Sequence, residues 1–382
     1  MKKLLNFCRG GVLASLFIIA ILALFAAGCN NSSDTPYTPP VAQTYTVTVT
    51  NGTATPTKAA AGATITVKAN APESGKVFGK WTTSTEGVTF TDATAAETTF
   101  TMPARDVTVA ANYTYTNLPT GGINGLFSVS DTKKVFFSKG NLRATTNDNG
   151  SSWTWSFADH QYDAVGMAAA NTTINGNGTV EANGSVDLFG WVGANSAFTG
   201  MAAFGISNSE NNHDYGDTNG EALKNDWGTN AISNGGNVAD YGWRTLTNDE
   251  WNYVLTTRAG ADSKKGAATV NSVAGWILLP DAWTLPAGAS FTAGKESGFT
   301  TNSYTAEQWA VMESAGAVFL PLTGTRRGSN VFYSTLYGYY WSATSKSATE
   351  AYIAVFTAST SSCGDMGRGA ACSAVRLAKD SN

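Results

Sequence analysis

Hydrophobic and polar positions change their period several times along this chain, and each change predicts a different element. Apolar residues run from Val12 to Ala27, behind Met1-Lys2-Lys3 and Arg9. Residues 30–43 carry no periodicity, and their prolines and polar side chains predict an extended tether. Alternation then begins with Tyr45-Thr46-Val47-Thr48-Val49 and returns at Thr64-Ile65-Thr66-Val67 and Val107-Thr108-Val109-Ala110, with Gly62, Gly75 and Gly79 between the runs. A period of two sends successive side chains to opposite faces, so each run predicts a strand of one small unit, residues 44–115. A joint over 116–122 precedes the main domain, 123–382. There Phe127-Ser128-Val129-Ser130, Lys134 to Leu142 and Trp153-Thr154-Trp155-Ser156-Phe157 predict further strands. Residues 166–240 are rich in glycine and asparagine and predict long loops, anchored by Asp187-Leu188-Phe189-Gly190-Trp191.

Only two segments have a helical period. Thr247-Asn248-Asp249-Glu250 and Thr305-Ala306-Glu307-Gln308 are capping boxes, in which the first and last side chains each satisfy an orphan backbone donor. Trp251, Val254 and Leu255 share a face after the first box, and Trp309 and Met312 do so after the second. Strand-like runs surround them at Trp276–Leu279, Ala317–Leu320, Tyr339–Ser342, Ala351–Phe356 and Ser373–Leu377. Few helices among short strands and long loops predict an α+β fold.

Composition narrows the function classes. Charged residues make up 14% of the chain, against about a quarter in an average protein, and the net charge is −4. With no basic stripe, nucleic acid is not the expected partner. The chain has 11 tryptophans, ten of them beyond residue 150, so the larger core is expected there.

Three resemblances follow from particular residues. Ala26-Ala27-Gly28-Cys29, closing the apolar run, resembles a bacterial lipoprotein signal. That implies removal of residues 1–28, acylation of Cys29 and attachment of the chain to a membrane, with 29–43 as spacer. The residue after the cysteine is Asn30 rather than aspartate, which favours the outer membrane over the inner one; display at the cell surface is the expected location. Ala61-Gly62, Gly75-Lys76-Val77-Phe78-Gly79-Lys80-Trp81 and Phe100 to Val107 resemble the divergent internalin-type B-repeat domain, implying a small β-grasp-like spacer or adhesion module. Phe78 and Trp81 are its expected core. Trp243-Arg244-Thr245-Leu246-Thr247-Asn248-Asp249-Glu250-Trp251, Tyr339-Tyr340-Trp341-Ser342-Ala343-Thr344 and Ala374-Val375-Arg376-Leu377 resemble the fibrobacter major paralogous domain across 123–382. That family is similar to the C-type-lectin-like fold of formylglycine-generating enzymes and of retroelement-diversified proteins. It implies a rigid scaffold displaying a binding face, with Trp243, Trp251, Trp341, Arg244 and Arg376 structural.

The residues themselves offer little catalytic chemistry. His160 and His213 have no partner at metal-ligand spacing, and no nucleophilic triad or phosphate-binding loop is present, so no metal, cofactor or catalytic residue is assigned. Asp214, Asp217, Asn219 and Glu221 could offer oxygen to calcium, but their spacing matches no EF-hand and reads as a solvated loop. The formylglycine resemblance raises an oxidase alternative, in which two C-terminal cysteines hold copper. Cys363 and Cys372 are spaced more widely than such a pair. With a two-residue turn at Gly367-Arg368 they would face each other across a hairpin, and a disulfide is expected. The most informative segment runs from Arg326 to Tyr340, where arginine, amide, hydroxyl and phenol groups mix with glycine as they do in antibody binding loops. Its expected face comprises Arg327, Asn330, Tyr333, Tyr337 and Tyr339, with Ser345, Lys346 and Tyr352 joining by position. The expected ligand is a protein or glycan on a host, microbial or phage surface, bound without catalysis; the alternatives are an exported oxidase or modifying enzyme and a purely structural surface protein.

Overall fold

The computed structural model describes residues 42–149, 152–172, 183–191, 226–239, 241–286, 288–296, 298–327, 330–347, 350–367 and 371–381, and residues 43–382 form one compact unit. The expected signal segment 1–28, Cys29, His213 and the calcium candidates at 214–221 lie outside the described residues. Among those described, no helix is long and apolar enough to cross a membrane.

Residues 44–115 fold as strands alone. Thr44–Thr50 lies between Lys58–Ala60 and Val107–Tyr115, and Lys76–Thr83 closes that sheet; Gly52–Thr55, Thr64–Ala69 and Glu97–Thr101 form a second, three-stranded sheet. The expected alternation holds. Ile65, Val67, Val107 and Val109 point into a shared core with Trp81 and Phe100, all at most 2% exposed. With no helix in this segment, the β-grasp-like expectation is corrected to two small packed sheets.

The larger part is also strand-dominated. Of the described residues 44% are in strands and 10% in helices, spread over many small antiparallel sheets. The expected α+β class is therefore not what the chain adopts; it is mostly β, in many small antiparallel sheets. The physical reason lies in the helices. Both capping boxes form as predicted, but the first caps only Asn248–Asn252 before the chain widens into a π turn over Tyr253–Thr257. The second caps Ala306–Ser314. Trp251, Val254, Leu255, Trp309 and Met312 are fully buried as expected, so these short helices serve as plugs between sheets rather than as a layer.

Long-range polar links hold the sheets together. Trp191 Nε1 donates to the Ser342 carbonyl at 2.7 Å, and Trp341 Nε1 donates to the Phe189 carbonyl at 2.6 Å, which anchors the loop region as expected. Arg376, fully buried, donates to Asn141 Oδ1 at 3.0 Å and to the carbonyls of Ser138 at 2.9 Å and Phe319 at 2.6 Å. Arg244 binds Glu250 through both terminal nitrogens, at 2.7 and 2.8 Å, and reaches Asp380 at 2.7 Å. Both arginines thus bond inward to protein groups. The joint is equally fixed: at Gly121 (φ +79°) a β-carbon would come within 2.5 Å of the Asn234 carbonyl, so only glycine fits.

Candidate binding face

Strand Thr325–Arg327 pairs with Asn330–Phe332, placing Arg327 opposite Asn330, both exposed. The chain then makes a tight loop before strand Gly338–Ser345. Tyr333 (φ 58°) and Thr335 (φ 73°) sit in the left-handed region there. A β-branched residue in that region is strained by about 1–3 kcal/mol, so the surrounding bonds must hold it. They do so from both ends. The Thr335 amide donates to the Leu322 carbonyl at 3.0 Å, and the Leu336 and Tyr337 amides both donate to the Tyr333 carbonyl at 3.0 Å. Gly324 supports the loop from beneath: its amide donates to the Tyr337 carbonyl at 2.7 Å, and a β-carbon there would lie 2.3 Å from the Phe332 carbonyl.

The clamped loop aligns aromatic rings. Tyr333 meets Tyr337 edge-on at 5.4 Å between centroids, and Tyr337 stacks on Tyr339 at 5.4 Å with 8° between planes. Phe332 adds a fourth ring at 6.2 Å from Tyr333. Tyr333 is 50% exposed and Leu336 60%. Burial is the main cause that pushes the Tyr339 phenol up to about 12; Tyr337 and Tyr333 add to it, and Arg327 opposes. Five residues of the expected face, Arg327, Asn330, Tyr333, Tyr337 and Tyr339, therefore lie along one loop and its flanking strands. Phe332 and Leu336 belong to the patch and were not singled out in the sequence; a leucine between Thr335 and Tyr337, in a polar and aromatic run, is the signal that could have found the second.

The other three residues lie elsewhere. Tyr340 opposes Ala354 and Trp341 opposes Ile353, but a bulge then shifts the register so that Ser345 opposes Ala351. Tyr339, Val355, Ile353 and Ala351 pack on the core around Trp341, whereas Tyr340, Ala354 and Phe356 pack on the core around Trp251. Alternation along Glu350–Phe356 then puts Tyr352 on the face opposite Tyr339. Lys346 is engaged by Asp365 at 2.8 Å and Glu350 at 3.3 Å, and Ser345 Oγ donates to the Ser347 carbonyl at 3.1 Å. Ser345, Lys346 and Tyr352 are thus corrected to the far end of this sheet, away from the tyrosine loop.

The cysteines also depart from expectation. Cys363, in Ser361–Gly367, opposes Ala354; Cys372, in Ala371–Ser373, opposes Arg326 and Gly190 in a different sheet. The expected hairpin does not form, and no disulfide joins the two cysteines, which corrects that expectation. Burial pushes the Cys363 thiol up to about 11, with Asp249 adding to it. Burial also raises the Cys372 thiol, against the pull of Arg326, whose Nη2 lies 2.7 Å from its sulfur. His160 pairs with Asp163 at 3.2 Å and stacks on Tyr162. Among the described residues no group of three or more histidine, cysteine or carboxylate side chains could hold a metal ion.

One comparison with known families gives a match. Residues 44–117 match the divergent InlB B-repeat domain. No curated protein and no solved structure matches the chain. Within the B-repeat, Trp81 is 2% exposed and its Nε1 donates to the Ala95 carbonyl at 3.1 Å, while Phe78 packs against it at 5.9 Å. Trp81 thus lies in the core of the B-repeat, as its sequence position implied, and the part-buried Phe78 packs against that core.

Proposed function

We propose that this chain is a lipid-anchored, surface-displayed binding protein that recognises a partner protein through the loop Tyr333–Tyr337 and catalyses nothing. The observation that carries the reading is the clamped row Tyr333, Tyr337, Tyr339 beside the exposed Arg327 and Leu336. Tyrosine and arginine dominate the energetics of protein interfaces, and a loop already fixed in shape loses little entropy on binding. The B-repeat supports a surface-associated, adhesion-type role. The lipoprotein-like start, Ala26 to Cys29, supports an outer-membrane anchor, and the likeness of 123–382 to the fibrobacter major paralogous domain supports a display scaffold. An oxidase reading finds less support: its two cysteines stand in separate sheets, and burial raises the thiol of each.

The test is an array of host, microbial and phage surface proteins and glycans, probed with the chain and with a variant carrying Arg327→Ala, Tyr333→Ala and Tyr337→Ala. Protein targets lost by the variant, with its melting midpoint unchanged, support the reading. Retention of every target by the variant refutes the tyrosine loop as the binding face.

A further inference from the structure

The seam between the B-repeat and the larger part of the chain carries a groove with chemistry unlike that of the tyrosine loop. Three neighbouring cavities lie along it, of about 420, 160 and 80 Å³. The first two share Asn51, Lys76, Tyr113 and Thr284, and the second shares Ser84 and Val311 with the third. One wall is the outer face of the B-repeat sheet at Thr82, Thr108 and Asn112; the other is the segment 280–286 and the end of helix Ala306–Ser314. The walls are fixed to each other. Asn124 Nδ2 donates to the Tyr113 carbonyl at 2.6 Å, its Oδ1 accepts from the Tyr115 amide at 3.2 Å, and Tyr115 packs edge-on against Phe136 at 5.6 Å.

We infer that this groove binds a neutral oligosaccharide. Hydroxyl and amide side chains line it, and its part-exposed aromatic platform is Trp283; Tyr304 is 6% exposed, Lys76 lies over the Tyr115 ring at 5.0 Å, and the Tyr113 hydroxyl donates to the Asn51 and Asn70 carbonyls. Hydroxyl-rich sugars need closely spaced acceptors and donors, and their C–H faces suit aromatic rings. The amides are already oriented: Asn112 Nδ2 donates to Thr82 Oγ1 at 2.8 Å and Asn51 Nδ2 to the Ala111 carbonyl at 3.4 Å, which leaves their carbonyl oxygens as fixed acceptors. Charge argues against an anionic ligand, because Lys76 is held by Glu73 at 3.1 Å. An elongated neutral groove with oriented amides suits a linear glycan of several residues.

The test titrates the full chain with cellohexaose, xylohexaose, maltohexaose, mannohexaose and chitohexaose, with hexagalacturonate as the anionic comparison, by calorimetry and tryptophan fluorescence. At least one neutral hexasaccharide is expected to bind. Trp283→Ala should weaken binding about ten-fold, the effect of one lost stacking or hydrogen-bonding partner. Trp283 also packs on the core, so a second variant, Thr284→Trp, obstructs the groove from an exposed position and should abolish binding without lowering the melting midpoint. Tyr333→Ala should leave sugar binding unchanged, which separates this site from the tyrosine loop. The inference is overturned if no neutral hexasaccharide binds at about 10 mM, a concentration that still detects weak sites. It is equally overturned if only the anionic one binds, or if binding survives Thr284→Trp.

Discussion

The B-repeat and the larger part of the chain reach stability by different means. The B-repeat has one apolar core around Trp81, built by regular alternation, and its ion pairs, such as Lys68 with Glu97, are exposed. The larger part joins several small sheets through buried polar side chains whose partners are far away in sequence. Arg376 reaches Asn141 and Phe319, Gln161 bonds both Ala317 and Phe319, and Asp187 accepts from Val165 and Asn171. The lesson concerns failure. Exposed pairs contribute little, whereas a buried donor that is removed leaves several acceptors unsatisfied.

The sharpest way to break the contrast is Arg376→Ala. It strips donors from acceptors in three separate segments and opens a cavity, for a loss on the order of 3–5 kcal/mol. Chemical denaturation should show the larger part unfolding at much lower denaturant, while Lys68→Ala in the B-repeat changes nothing measurable. Equal effects would mean that the buried links are not what holds the sheets. A smaller effect is expected from Gly324→Ala, at a φ of 72° with no room for a β-carbon. It should cost about 1–3 kcal/mol and disorder the tyrosine loop, so protein targets on the array are lost while hexasaccharide binding persists. The smallest effect concerns Tyr339. Its phenol is pushed from the ordinary 10 up to about 12, so the folded form keeps a proton that the unfolded chain releases. That contribution is fully present below pH 10 and is lost as the pH rises through about 12. Absorbance at 295 nm should show one late-titrating phenol disappear in Tyr339→Phe; titration of Tyr339 with the bulk tyrosines would contradict its burial.

What the sequence revealed follows the same division. Alternation and capping boxes are local, so the strands of the B-repeat, the buried Trp251 and Trp309 and the starts of both principal helices were legible. The departures arise where partners are chosen at long range. The α+β expectation counted two helices among short strands and long loops; the helices stay short and the strands pair at long range into many small antiparallel sheets. Cys372 leaves the expected hairpin because Ala371–Ser373 pairs with Thr325–Arg327 and Phe189–Gly190. Tyr352 turns away from Tyr339 because Ala351, Ile353 and Val355 share the side of Tyr339 and Trp341, and strand alternation sends Tyr352 to the other side, which position along the chain did not reveal. The tyrosine row was legible in composition, but the Gly324 contact that shapes it was not.

The parallel pairing of Thr44–Thr50 with Val107–Tyr115 has a mechanical meaning. Tension carried along the chain from residue 44 to residue 115 would drag these two neighbouring strands in opposite directions along their length. The bonds between Val47 and Val107 through Thr50 and Ala110 are then loaded together in shear, and none can be peeled away before the next. A B-repeat wired in this manner would serve as a stiff link that resists pulling.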